Sequence, residues 1–231
     1  MQHICIKSTH LKIILLFLLL FSGYCYGQTT TVQQQQAEQT GGFSVFMCND
    51  TLLPGWGSSF DSVSFASTQT WQVGSQIWSD AVQATNCDKT TFSGGSSGNF
   101  RSDCRSNPDY PGDLFSWCAV VRFGDVLCPA PWRVPTRQDF MNLDRALGGT
   151  GLNNQNDSTL RNKYLNDWGG VYSGISSSNG VRNGQGIFTL YWSQMEFDAL
   201  DAYSLRFNRS GNVVPQRWSI KSGGHSLRCV R

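Results

Sequence analysis

The chain has 231 residues, 18 of them Lys or Arg and 16 Asp or Glu, with only 15% charged and 13% aromatic residues. So even a balance excludes the basic stripe that phosphate-rich partners require, and nucleic acid is not an expected partner. The length suits one domain with its own hydrophobic core, with or without a short arm.

Residues 1–27, "MQHICIKSTHLKIILLFLLLFSGYCYG", read as a secretory signal peptide. Lys7 and Lys12 precede an apolar run from Ile13 to Phe21, far shorter than the roughly 20 residues that span a bilayer. Cys25 and Gly27 suit the small positions before cleavage, and bulky Tyr24 argues against acylation of Cys25. Removing this leader takes the charge from 18 minus 16 to 16 minus 16. The expected mature chain is therefore neutral, without a transmembrane segment, and exported to the periplasm, cell surface or outside.

Residues 28–42, "QTTTVQQQQAEQTGG", hold no large apolar residue except Val32 and are expected to form a flexible arm. From Phe43 to Arg231 short apolar runs alternate with Gly, Ser and Asn, the pattern of one domain of short strands and long polar loops. "TWQVGSQIW" predicts a hairpin centred on Val73, Gly74 and Ser75, and "WSDAVQATNC" a short helical turn capped by Ser79. "LFSWCAVV" suggests a short helix from Leu114 to Val121, although its β-branched end also suits a buried strand. The clearest helix is "PTRQDFMNLDRALGG", with Thr136 as cap and Asp139 completing an acidic capping box. Phe140, Leu143 and Leu147 share one face, and Gly148 and Gly149 provide the stop. Residues 148–186 then read as long glycine-rich loops, where function often sits. Four strand-like runs follow, "GIFTLYWS", "AYSLRFN", "NVVPQRWSI" and "HSLRCVR", expected to form one small antiparallel sheet with a hairpin turn at "NRSGN".

Six cysteines lie beyond the leader, Cys48, Cys87, Cys104, Cys118, Cys128 and Cys229, an even set that reads as three disulfides in an exported chain. None is spaced C-x2-C, and His225 is the one histidine beyond the leader. Zinc binding and Ser-His-Asp or Cys-His catalysis therefore find little support, and no cofactor is expected.

In order along the chain, "VGSQIWSDAV", "GDLFSWCAVV", "LCPAPWRVPTRQDFMNL", "YWSQMEFDALDAYSLRF" and "GHSLRCVR" resemble the motifs of the Fibrobacter succinogenes major paralogous domain, found in exported Bacteroidetes-type proteins. The resemblance covers roughly residues 71–231. "WRVPT" and the helix after it also resemble a segment of formylglycine-generating enzymes, whose fold is related to C-type lectins. The implied architecture is an α+β, C-type lectin-like fold of short antiparallel sheets, two short helices and long loops, stapled by disulfides. The chemistry of those relatives does not come with it: Cys229 stands alone where the enzymes use two cysteines, and the calcium tripeptides of the lectins are absent.

On that scaffold Cys128 enters the main helix and Cys229 lies in the final strand, so their pairing is expected. Cys87 and Cys104 would clip a Gly- and Ser-rich segment, leaving Cys48 for Cys118. Ligand contacts are expected from the loops of residues 150–200: Trp168 and Tyr172 as aromatic faces, Asn183 as an amide, and Glu196 and Asp198 as an acidic rim beside Asp201. Trp132 and Trp192 are assigned to the core. The function these features imply is an exported, noncatalytic binding or cell-surface structural module for a glycan or protein. Two alternatives stand beside it: an enzyme of the formylglycine-generating or glycan-hydrolysing kind, whose paired carboxylates would have to face a cleft, and a surface assembly subunit docking through its glutamine-rich arm.

Overall fold

The computed structural model describes residues 63–65, 69–84, 87, 104–177 and 180–231. The expected leader, the arm and Cys48 lie outside these residues. The described chain is a mixed α/β structure of short antiparallel sheets and four helices. None of those helices is long and apolar enough to cross a membrane.

One sheet joins the two ends of the described chain. Strands β1 (Val63–Phe65), β2 (Thr70–Val73) and β12 (Arg228–Val230) all pair with β3 (Gln76–Ala84). The β2–β3 hairpin turns where expected, between Val73 and Gln76, with Gly74 at φ +60°. That left-handed conformation suits glycine because it has no Cβ. The helical turn expected after Ser79 does not form, and β3 runs on to Ala84. Trp78, Ala81 and Val82 are buried, and the Ser79 hydroxyl accepts the Cys229 N–H at 2.8 Å. Pairing with three strands outweighs the local cap signal.

The second sheet has the order β6 (Gln155–Asn156), β11 (Asn212–Ile220), β10 (Asp201–Asn208), β9 (Phe188–Glu196). Three of the four expected C-terminal runs are here, with the hairpin turn at residues 208–212. The fourth does not join them. The segment before β12 instead passes along β9, where Ser226 exchanges hydrogen bonds with Leu190 and Trp192 (3.0 and 3.1 Å). It continues as β12 into the first sheet and acts as a seam between the two. Two small ribbons complete the strands: β4 (Cys104–Arg105) with β5 (Leu114–Phe115), and β7 (Ile175–Ser176) with β8 (Arg182–Asn183).

The segment expected to be helical from Leu114 begins as β5, and helix α1 (Trp117–Arg122) starts only after Ser116, whose hydroxyl accepts the Ala119 N–H at 3.1 Å. A single turn, α2 (Gly124–Leu127), follows. Helix α3 (Arg137–Ala146) carries the expected capping box: the Thr136 hydroxyl accepts the Asp139 N–H (3.2 Å) and the Asp139 carboxylate accepts the Thr136 N–H (2.7 Å). Asp139 also accepts Arg133 at 2.7 and 2.9 Å and Gln76 at 2.9 Å, so the cap ties the helix to β3. Burial alone would raise its carboxyl pKa; the hydrogen bonds from Arg133 and Thr136 outweigh that and hold it below the usual carboxylate range.

Helix α4 (Ser158–Asn166) lies inside the stretch expected to be loop. Asp157 caps it by accepting the N–H groups of Thr159 and Leu160 (2.7 and 3.2 Å), and Leu160 and Tyr164 face the core. The buried Asp144 carboxylate at the end of α3 organises the intervening loop. It accepts Tyr164 Oη (2.8 Å), the Gly151 N–H (2.7 Å) and Gln155 Nε2 (2.9 Å).

Two disulfides match expectation, Cys87 to Cys104 and Cys128 to Cys229, across 17 and 101 residues. Cys118 is also disulfide-bonded; the expected pairing with Cys48 falls outside the described residues. Cys128 and Cys229 belong to one core cluster with Phe115, Trp117 and Trp192, against which Trp132 packs partly buried. A second cluster gathers Trp78, Phe140, Tyr164, Trp168, Tyr191 and Phe207.

Candidate functional site

Two of the residues expected to bind ligand, Trp168 and Glu196, have side chains buried inside the protein. Trp168 is 0% exposed: its ring meets Trp78, Tyr164 and Tyr191 edge to face at 5.5, 5.9 and 4.9 Å. The expectation of a ligand-facing Trp168 is thereby corrected, because ordering α4 carries this tryptophan into the core. Its surroundings explain a second burial. The Arg228 guanidinium lies 4.2 Å over the Trp168 ring, donates to the Trp168 carbonyl and bonds the Ser79 carbonyl at 2.6 Å. Burial lowers its pKa to about 10, so it stays charged at neutral pH.

Tyr172 is half-buried. Its hydroxyl accepts Arg161 Nη1 at 3.1 Å and the Arg209 guanidinium lies 5.9 Å from its ring. Asn183 is exposed on β8, where it pairs with Ile175 of β7. Glu196 and Asp198 are already occupied. The Lys221 ammonium donates to Glu196 Oε1 and to the carbonyls of Asp198 (2.7 Å) and Ala199 (3.0 Å), and sits 4.8 Å over the Trp117 ring. Both side chains of this ion pair are almost fully buried. Asp198 Oδ1 accepts the N–H groups of Leu200 and Asp201, each at 2.8 Å, and so shapes its own turn. The acidic rim is therefore a lysine socket, and Glu196 as a ligand contact is corrected: the cation it holds is tethered to the chain.

His225, the one histidine beyond the expected leader, is buried and stacked on Trp192 with ring centroids 3.9 Å apart. Nδ1 has no partner, and burial lowers the imidazole pKa from 6.5 to about 3. The sign follows directly: between about 3 and 6.5 the unfolded state holds a proton that the folded state does not, so stability falls as pH falls through that window and is flat above it. At pH 4 this group is expected to have removed about 3 kcal/mol relative to pH 7.5. Urea unfolding of the wild type and His225→Phe across that range checks this, with the wild type losing more stability on acidification by that amount; equal losses refute the assignment. Nearby, the buried hydroxyls of Thr189 and Ser226 each bond Ser173 Oγ at 2.7 Å. They lock the seam to β9.

The surface offers something the sequence reading missed. Phe197, Leu200, Trp218 and Ile220 are 46%, 55%, 44% and 50% exposed at one end of the β9–β10–β11 sheet. Phe197 stacks on Trp218 (5.6 Å, 11°) and meets Tyr203 edge to face (5.3 Å, 85°). Arg217 lies 5.0 Å from the Trp218 ring, and Arg137 lies 4.8 Å over Tyr203 and donates to its hydroxyl at 3.0 Å. The strand alternation of "RWSI" looks like that of any half-buried strand, so sequence alone does not show that this end of β11 extends past the core.

Among the described residues, the one cluster with metal-ligand spacing is Cys87, Cys104 and Asp113. Its two sulfurs are joined in a disulfide, which removes both thiolates. No known protein family, curated protein or solved structure matches the chain.

Proposed function

We propose that the chain is an exported, noncatalytic binding module of the cell surface or periplasm, and that its contact surface is the patch of Phe197, Leu200, Trp218 and Ile220. The carrying observation is the exposure of four large apolar side chains side by side, bordered by Arg137 and Arg217. Aromatic residues and arginine are the side chains that dominate protein interfaces. A protein partner fits better than a glycan. Sugar rings stack on open aromatic faces, whereas Trp218 stacks face to face with Phe197 and Tyr203 carries Arg137. The ring edges, with Leu200 and Ile220, remain for contact.

Export is supported by the leader-like sequence together with the two disulfides. The C-type lectin-like architecture and the Fibrobacter succinogenes major paralogous domain remain the reading of the five motifs, with the short antiparallel sheets in keeping. Against the enzyme alternatives, Cys229 is held by Cys128 and Glu196 by Lys221, so neither offers a free thiol or a free carboxylate.

Screening the mature protein on protein and glycan arrays tests the proposal. Trp218→Ala and Phe197→Ala are expected to weaken binding of protein hits by about tenfold or more, in line with losses above 1 kcal/mol at interface anchors. Tyr172→Ala should leave it unchanged. Retention of full binding by both patch variants overturns the assignment.

A further inference from the structure

In an antiparallel ladder, successive residues direct their backbone groups alternately to one neighbouring strand and to the other. Trp192 gives its N–H to Ser226, away from β10, so its cross-strand partner Ser204 turns toward β11. Arg217 stands opposite Ser204, Trp218 opposite Tyr203 and Ile220 opposite Asp201. Arg217 therefore bonds inward, while Trp218 and Ile220 direct N–H and C=O out of the sheet.

Strand β6 covers that outer side only at Asn212 and Val213. Further along, the chain supplies a one-residue imitation of a strand: the Gln216 N–H donates to Asn153 Oδ1 at 2.9 Å, and Asn153 Nδ2 donates to the Gln216 carbonyl at 3.2 Å. At the far end the Ile220 carbonyl accepts the Gly223 N–H at 3.0 Å. Between these two caps, the N–H and C=O of Trp218 and the N–H of Ile220 meet no partner among the described residues. The gap opens beside the exposed side chains of Trp218 and Ile220.

We propose that an extended polypeptide segment of a partner protein adds to β11 over Trp218–Ile220 as a further strand, with an apolar side chain seated on the patch. This rests on the reading of the patch as the contact surface and specifies what it receives. A row of alternating donor and acceptor at the strand repeat, flanked by apolar side chains on one face, is the chemistry of an extended peptide. Asn153 shows the same demand met from within the chain one step upstream. A sugar offers no such repeat.

The test uses the full mature chain and an array of heptapeptides of alternating Val, Thr and Tyr, each with two twins N-methylated on one or the other set of alternate residues. Binding is expected for the parent peptides, at least tenfold weaker for the twin whose methyl groups face β11, and unchanged for the other twin. Trp218→Ala should weaken the parent peptides by a similar factor. If Trp218→Ala abolishes binding while neither methylation matters, strand addition fails and the contact surface stands; if Trp218→Ala and methylation both leave binding intact, both fail. Absence of peptide binding, or sedimentation showing that the edge is consumed by Trp218-dependent pairing of two copies, overturns the proposal.

Discussion

Lys221→Met is expected to lower the unfolding free energy by about 3–5 kcal/mol, because it strands the Glu196 carboxylate in the interior. The ammonium uses all three protons, on Glu196, Asp198 and Ala199, and the carboxylate it leaves behind is almost fully buried. Removing both charges tells a different story. Glu196 Oε2 has no hydrogen-bond partner, so the pair is only half satisfied, and Lys221→Met with Glu196→Leu is expected to recover most of the loss. Urea unfolding of the two variants against the wild type decides the matter. If the double variant is as unstable as the single, the cost lies in the carbonyls of Asp198 and Ala199 rather than in the carboxylate.

Replacing Cys128 and Cys229 together by alanine is expected to cost roughly 4–5 kcal/mol, the loop-closure value for a crosslink of this span. The pair closes 101 residues, against 17 for Cys87 and Cys104. The same double replacement at Cys87 and Cys104 should therefore cost less, about 3 kcal/mol on the same scale. Denaturant midpoints of the two variants measure the ordering; the shorter bridge contributing more would show that native packing, rather than chain entropy, sets the value.

The parts of this fold that were legible in the sequence are those written by neighbours along the chain. Thr136 and Asp139 announce α3, Gly74 announces the hairpin, and the even cysteine set announces the bridges. Helix α4 was written just as locally, by Asp157, Leu160 and Tyr164, but its flanking glycines made the stretch look like loop. What local signals cannot carry is partnership between distant segments. Ser79 looked like a helix cap, and only its bond to Cys229 makes it part of a strand. Trp168 looked exposed among glycines until Arg228, from the far end of the chain, covered its ring. Glu196 and Asp198 looked like a cation site, which is chemically sound; the sequence hid that the cation is Lys221. The aromatic patch was illegible for the opposite reason, since burial and exposure produce the same alternation in a strand.

The seam formed by the segment from Gly224 to Val230 also makes the fold depend on contacts between segments far apart in the chain. Strand β3 lies early in the described chain, yet Ser79 and Arg228, which bond one another's segments, are 149 residues apart. Contacts of such separation form slowly, after the intervening chain has collapsed. Without β12, the flank of β3 loses a partner strand, Trp168 loses its arginine, and each core cluster loses a member, Cys229 from one and Val230 from the other. Closure of the fold is thus tied to a pairing between the two ends of the described chain, and a variant lacking β12 is expected to lose the cooperative unfolding transition of the intact protein.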